Sequence, residues 1–182
     1  MSEYRRSFID GGTYFFTVVT YQRQPILTDS LSRALLRAAW LDVSNRFPFT
    51  TEAICLLPDH LHCVLTLPPG DSNYPMRWKE IKRLFTRAYL SHKKEPIERN
   101  ISHQKREEAT IWQRRYWEHS ILDEEDFNHH LHYIHYNPVK HGYVQSVSEW
   151  TWSSFHRYVK DGFYEKGWGD KIDMDFSSQY GE

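Results

Sequence analysis

Residues 57–68 read Leu-Pro-Asp-His-Leu-His-Cys-Val-Leu-Thr-Leu-Pro, two histidines one residue apart inside an apolar run. Short, apolar and bracketed by Pro58 and Pro68, the run reads as a β-strand. Side chains alternate across a strand, so His60 and His62 share one face and Leu61, Cys63, Leu65 and Leu67 share the other. Two imidazoles side by side on a rigid strand make two thirds of a metal site. The same pair also suits hydrogen-bonded histidines near a strand end, and the rest of the chain has to decide between the two.

Residues 14–20 (Tyr-Phe-Phe-Thr-Val-Val-Thr) follow Gly11-Gly12 and make a first strand. Asp29 or Ser30 caps a helix running to about Arg46, with Leu31, Leu35, Ala38 and Val43 near one stripe. Residues 51–57 and 60–67 then form an antiparallel hairpin about Pro58-Asp59. A second helix over about residues 75–90 buries Trp78, Ile81, Leu84, Phe85 and Ala88. The order βαββα predicts an α+β fold: a ferredoxin-like core with a largely antiparallel sheet and helices packed on it. Residues 91–110 are polar, lack an apolar period and read as a long exposed loop. Residues 111–117 add a short strand, and residues 148–159 a short Trp-rich helix. The domain organisation expected is one catalytic domain over 1–160 and an acidic tail over 161–182.

The chain has 182 residues, enough for one core, and its 23 basic and 24 acidic side chains nearly cancel. Charge is nevertheless segregated. Arg77, Lys79, Lys82, Arg83 and Arg87 cover much of the second helix, while acids dominate after Asp161. A basic middle and an acidic end suit a nucleic-acid surface and a segment that competes for it; a solvated helix face and a solvated tail fit the same charges. Cys55 and Cys63 read as two buried thiols in a reducing compartment rather than a required disulfide. Without an apolar leader or a stretch of transmembrane length, a cytoplasmic protein with no membrane partner is expected.

A third helix begins at Asp123-Glu124-Glu125-Asp126, where the helix dipole favours acids, and is expected to end at Pro138. Phe127, Leu131 and Ile134 form its buried stripe. Tyr133 and Asn137, one turn apart, lie to one side of that stripe, and Tyr136 points towards solvent. Tyr116, Tyr136 and Tyr143 are the other tyrosines near these segments.

Taken together, these blocks resemble a family. His60-Leu61-His62 is similar to the histidine–hydrophobic–histidine motif of HUH enzymes, and Tyr133 with Asn137 to the nucleophile helix of their single-tyrosine transposases. The likeness is to REP-associated tyrosine transposases. They share Leu-Pro-Asp/Glu-His-hydrophobic-His-Cys (residues 57–63), Arg-Trp-x-Glu-Ile-Lys (77–82), Trp-Glu-His (117–119) and His-His-x-x-Tyr-Ile-x-x-Asn-Pro-Val-Lys-His-Gly (129–142). The resemblance covers roughly residues 2–158 and leaves 91–110 and the tail unmatched.

The resemblance implies an HUH single-tyrosine transposase fold and a DNA-nicking and strand-transfer enzyme with Tyr133 as nucleophile. It implies His60, His62 and Asn137 as ligands of Mg²⁺ or Mn²⁺, although imidazole by itself suits softer metals. The partner implied is single-stranded or hairpin DNA of repetitive extragenic palindromes, bound by a monomer, with a dimer, as in larger insertion-sequence relatives, as the alternative. Lys79, Lys82, Arg83, Arg87 and Arg77 of the basic helix then meet phosphates, and Arg5 and Arg6 on an N-terminal arm enter a groove. Two rival readings stand beside it: a zinc hydrolase using His60 and His62 with Asp59 or a helix histidine, and a domesticated protein that binds hairpin DNA without cutting it.

Overall fold

The computed structural model describes residues 8–93 and 111–170. Four strands, β1 (Thr13–Val19), β2 (Thr50–Leu56), β3 (His60–Thr66) and β4 (Trp117–Ser120), form one sheet in the order β2-β3-β1-β4. Helices α1 (Ser30–Arg46), α2 (Tyr74–His92), α3 (Glu124–Lys140) and α4 (Phe155–Lys160) pack on it. Every pairing is antiparallel. Because β1 and β2 both run antiparallel to the β3 between them, they point the same way, as the split βαβ unit of a ferredoxin-like fold requires.

Alternation on β1 and β3 divides the interior into two cores. Tyr14, Phe16, Val18, Leu61, Cys63 and Leu65 face α1 and α2, where they meet Leu36, Val43, Trp78, Ile81 and Phe85. Phe15, Val64, Ala53 and Cys55 face the opposite way and meet Leu131, Tyr133 and Ile134 of α3. Both cysteines are free thiols and buried. Each long helix opens on a side-chain cap: Asp29 accepts from Ser32 N–H, Asn73 from Met76 N–H and Asp123 from Asp126 N–H.

Several details differ from the sequence expectation. The α1 stripe is rotated by about one residue, burying Ser32, Leu36, Ala39 and Val43 and leaving Leu31 exposed. The fourth strand lies at Trp117–Ser120, not over 111–117. Ile111 and Trp112 are instead drawn into the α2-side core, and Trp112 makes only a single bridge, to Thr20. Helix α3 does not stop at Pro138 but runs on to Lys140. Proline withholds one N–H, so a single intrahelical bond is forgone, and Gly142 at φ +71° supplies the actual termination. Nor does Tyr136 face solvent. It is buried, as is His135, because the segment after residue 150 covers the outer side of α3.

That covering layer includes part of the expected tail. Tyr164 and Trp168 pack on Phe155 of α4 and on His132 of α3. Residues 171–182, Arg5 and Arg6, and 94–110 of the expected loop lie outside the described residues. Among the described residues, no helix is long and apolar enough to cross a membrane.

Arg77 requires a correction. It is 1% exposed, and its guanidinium donates to both carboxylate oxygens of Asp71 and to the carbonyls of Phe47, Pro48 and Asn73. It clamps the loop before α2 to the end of α1 and offers no face to a phosphate. The sequence pattern missed this because a buried arginine satisfied by carbonyls looks, in one dimension, like its solvated neighbours.

Candidate active site

The His60–His62 face of β3 lies under α3. His62 sits opposite Thr17 and His60 opposite Val19 in the β1–β3 register, so both imidazoles project to the Phe15 side of the sheet. Both are fully buried, and their rings are 4.8 Å apart and nearly perpendicular. Each is oriented through Nδ1. His60 Nδ1 is 2.6 Å from Asp59 Oδ1, and His62 Nδ1 is 2.9 Å from Thr17 Oγ1. Burial works against ionisation of Asp59, but the His60 hydrogen bond and charge, with those of Arg23, hold its carboxyl down at about 2. An ionised carboxylate only accepts, so His60 Nδ1 carries the proton in this bond. Engaging Nδ1 in this way fixes an imidazole for ligation through Nε2.

Helix α3 supplies the rest of the site from one face. The Tyr133 ring packs edge-on against His62, with centroids 5.1 Å apart, and two turns later the His141 ring stands 5.2 Å from His60. Asn137 lies midway between these two residues at helical spacing, fully buried, so it is placed over the histidine pair. Two imidazoles and a side-chain amide, with the imidazoles braced from behind, fit a divalent cation. Lys140 Nζ donates to the Tyr133 hydroxyl at 3.3 Å and lies 4.8 Å from the centre of its ring. Tyr133 is fully buried, while Lys140 and His141 are exposed and mark the mouth of the site.

The 57–63 block and the 133/137 pair thus come together as expected. The basic helix does not join them. Helix α2 packs on the opposite face of the sheet, where Lys79 and Arg87 are exposed. Arg83 pairs with Glu80. Lys82 donates to Gln113 C=O at 3.0 Å and lies over the rings of Trp112 and Tyr116, tying down the approach to β4. Sequence reasoning also passed over Thr17, Lys140 and His141. Thr17 faces His62 only through long-range register. The other two became visible only once α3 ran through Pro138.

A second cluster lies on the same side of the sheet. Ligand atoms of His119, Asp126 and His130 fall within 4.8 Å of one another. Asp126 Oδ2 accepts from His119 Nε2 at 2.8 Å and from Leu122 N–H at 2.9 Å, and the His130 ring stacks on that of His119. These bonds fasten β4 to the first turns of α3, and burial lowers the His130 pKa, favouring neutral imidazole.

Residues 9–137 match the family model described as "Transposase IS200 like". The chain belongs to that family. Within it, this transposase is 42% identical to the REP-associated tyrosine transposase of Escherichia coli, over 98% of this chain and 96% of the relative. It is 47% identical to a Haemophilus influenzae protein whose designation also refers to a REP-associated tyrosine transposase, over 96% and 97% of the two chains. A solved REP-associated tyrosine transposase bound to a REP hairpin superimposes with a TM-score of 0.81 at 43% identity, covering 100% of this chain and 98% of that one. The chain is thus a member of the REP-associated tyrosine transposase family, and the α+β fold expected from the element order is the one observed.

Proposed function

We propose that this transposase cuts and rejoins single-stranded or hairpin DNA of the repetitive extragenic palindromic kind, through a covalent phosphotyrosine on Tyr133. The observation that carries this reading is the alignment of Tyr133, Asn137 and His141 along one face of α3 over His62 and His60. His60, His62 and Asn137 are the metal ligands in this reading. They would hold a divalent cation, Mg²⁺ or Mn²⁺, which would supply polarisation of the scissile phosphate oxygens.

The Tyr133 oxygen attacks phosphorus, a new O–P bond forms, and the bond from phosphorus to the 3′ oxygen breaks. The 5′ end remains on the tyrosine and the departing strand leaves as a 3′ hydroxyl, having taken up a proton. Attack by a second 3′ hydroxyl reverses these steps and joins a new pair of ends. Lys140 donates to the tyrosine oxygen where charge develops once its proton leaves, and steadies it for attack. Tyr133 meets His62 within one chain, and the protein acts as a monomer in this reading. The exposed Lys79 and Arg87, with Lys82, Arg83, Arg5 and Arg6, are proposed phosphate contacts that add affinity without sequence preference. The position of the four α2 residues across the sheet from His62 requires the DNA to reach around the β4 edge or the loop ends.

The test is incubation with labelled hairpin DNA and Mg²⁺, followed by denaturing electrophoresis and mass spectrometry of any adduct. A covalent band mapped to Tyr133, and lost in Tyr133→Phe with DNA binding retained, is expected. An adduct on Tyr116 or Tyr136 overturns the assignment of the nucleophile. Cleavage without adduct points to a water nucleophile, and binding without cleavage to a hairpin-binding protein.

A further inference from the structure

Just outside the candidate active site, one aromatic ring is held rigidly yet stays in solvent. Tyr143 is 44% exposed, although most large aromatic residues of the described chain are buried. It stacks on Trp150 at 5.5 Å with planes 26° apart. Trp150 is itself buried and anchored, its indole Nε1 donating to Leu56 C=O at 3.0 Å. The backbone is equally determined: Gly142 makes the turn at φ +71°, and Tyr143 N–H donates to Pro138 C=O at 2.9 Å. His141, 5.9 Å from Tyr143 and 5.2 Å from His60, links this ring to the histidine pair.

Arg23 lies in the same neighbourhood. Its side chain is 44% exposed, and Nη1 donates at 3.0 Å to Asp59 Oδ2, on the carboxylate whose other oxygen holds His60. Asp59 in turn holds His60 at 2.6 Å, and the His60 ring adjoins His141 and, through it, Tyr143, so a continuous chain of contacts joins Arg23 to the Tyr143 ring. Gln22 and Arg23 both adopt left-handed backbone, φ 52° and 51°, a conformation that non-glycine residues adopt at a cost and keep only where the surroundings hold it. The neighbouring Thr20 hydroxyl, bonded to the carbonyls of Gln24 and Asp59, pins this turn beside β3.

We propose that Tyr143 and Arg23 form a subsite for one unpaired nucleotide of the cut strand, next to the scissile phosphate. Tyr143 stacks on the base and Arg23 meets the adjoining phosphate. The inference rests on the DNA-cutting reading of His60, His62 and Tyr133 and names where the strand runs as it leaves them. A flat ring backed by a second ring suits any base with an exposed π face. A base paired within a stem has its faces covered by its neighbours, so the nucleotide bound here lies outside the paired region. The arginine adds charge and a planar fork for phosphate oxygens.

The test uses the full chain, without divalent metal, and a hairpin oligonucleotide with single-stranded flanks into which one abasic site is moved stepwise. Tyr143→Ala keeps the backbone bond to Pro138 and is expected to weaken binding about tenfold, while Tyr143→Phe binds like wild type. One abasic position should weaken wild-type binding by a similar factor, and on that oligonucleotide Tyr143→Ala should cause no further loss. Arg23→Gln should lower the salt slope by about 0.7, the value for one single-strand phosphate. Tyr143→Ala binding as tightly as wild type, or losses that multiply at every abasic position, overturns the subsite while leaving the DNA reading intact. Wild-type protein that binds none of these oligonucleotides overturns both.

Discussion

Asp59→Asn isolates one charge behind the histidine pair. The substitution keeps an acceptor oxygen for His60 Nδ1–H, so the imidazole remains oriented, and removes only the negative charge shared by His60 and Arg23. Asp59 is 13% exposed, and its carboxyl is held at about 2 instead of the ordinary 3.8. A depressed carboxyl contributes stability that is present above the unfolded-state pKa and lost as the pH falls through the folded-state one. The wild-type charge is therefore worth on the order of 2 kcal/mol above about pH 4. Urea denaturation of metal-free wild type and variant should show that gap at pH 7. It should narrow from about pH 4 downward and be largely closed near pH 2. Titration with Mn²⁺ at pH 7 should show roughly tenfold weaker binding by the variant, since outer carboxylates sharpen histidine ligands. Equal stability at pH 7, or a gap that stays constant down to pH 2, would refute the idea that Asp59 is ionised and paired with His60.

Three further substitutions separate structural from chemical roles. Arg77→Ala should destabilise the fold by roughly 3–5 kcal/mol, because Asp71 and several carbonyls lose a buried partner, whereas Arg83→Ala, losing one surface pair, should stay within about 1 kcal/mol; the same denaturation assay distinguishes them, and similar losses would contradict the clamp. Lys140→Met keeps the aliphatic stem but removes the ammonium beside the Tyr133 hydroxyl, so single-turnover cleavage should slow about a hundredfold with hairpin affinity changed far less; an unchanged cleavage rate would assign Lys140 to packing.

The elements were legible in sequence wherever a period or a cap marked them. The alternation of β3 placed His60 and His62 on one face and Leu61 and Cys63 on the other, and Asp29 and the acids after Asp123 marked helix starts. Local pattern was insufficient where a remote segment decides the outcome. His135 is buried against Tyr158 and Tyr164 and Tyr136 lies beside Gly169, which no periodicity within α3 reveals. Arg77 reads as one more charge on a basic face until Asp71 and the carbonyls of Phe47 and Pro48 surround it. The pairing of Thr17 with His62 is a consequence of register between strands about 45 residues apart. Pro138 is the clearest local rule that gave way: a single missing N–H near a helix end does not outweigh the packing of the residues on either side.

The two-faced character of β3 sets what kinds of change the chain can survive. It is bonded on both sides, with β1 along Thr13–Val19 and with β2 along Thr50–Leu56. Deleting or inserting one residue in it would exchange its faces, sending Leu61 and Cys63 towards α3 and the two histidines into the hydrocarbon beneath α2. Both the packing and the chemistry would be lost at once, so length variation within β3 has no mild form. Strand β2 already tolerates an irregularity between Thr51 and Ala53 at the sheet edge, and β4 at the other edge holds only four residues. Length changes in descendants of this chain should therefore accumulate at the two edges and in the connections, while the seven residues from His60 to Thr66 keep their number even where their identities drift.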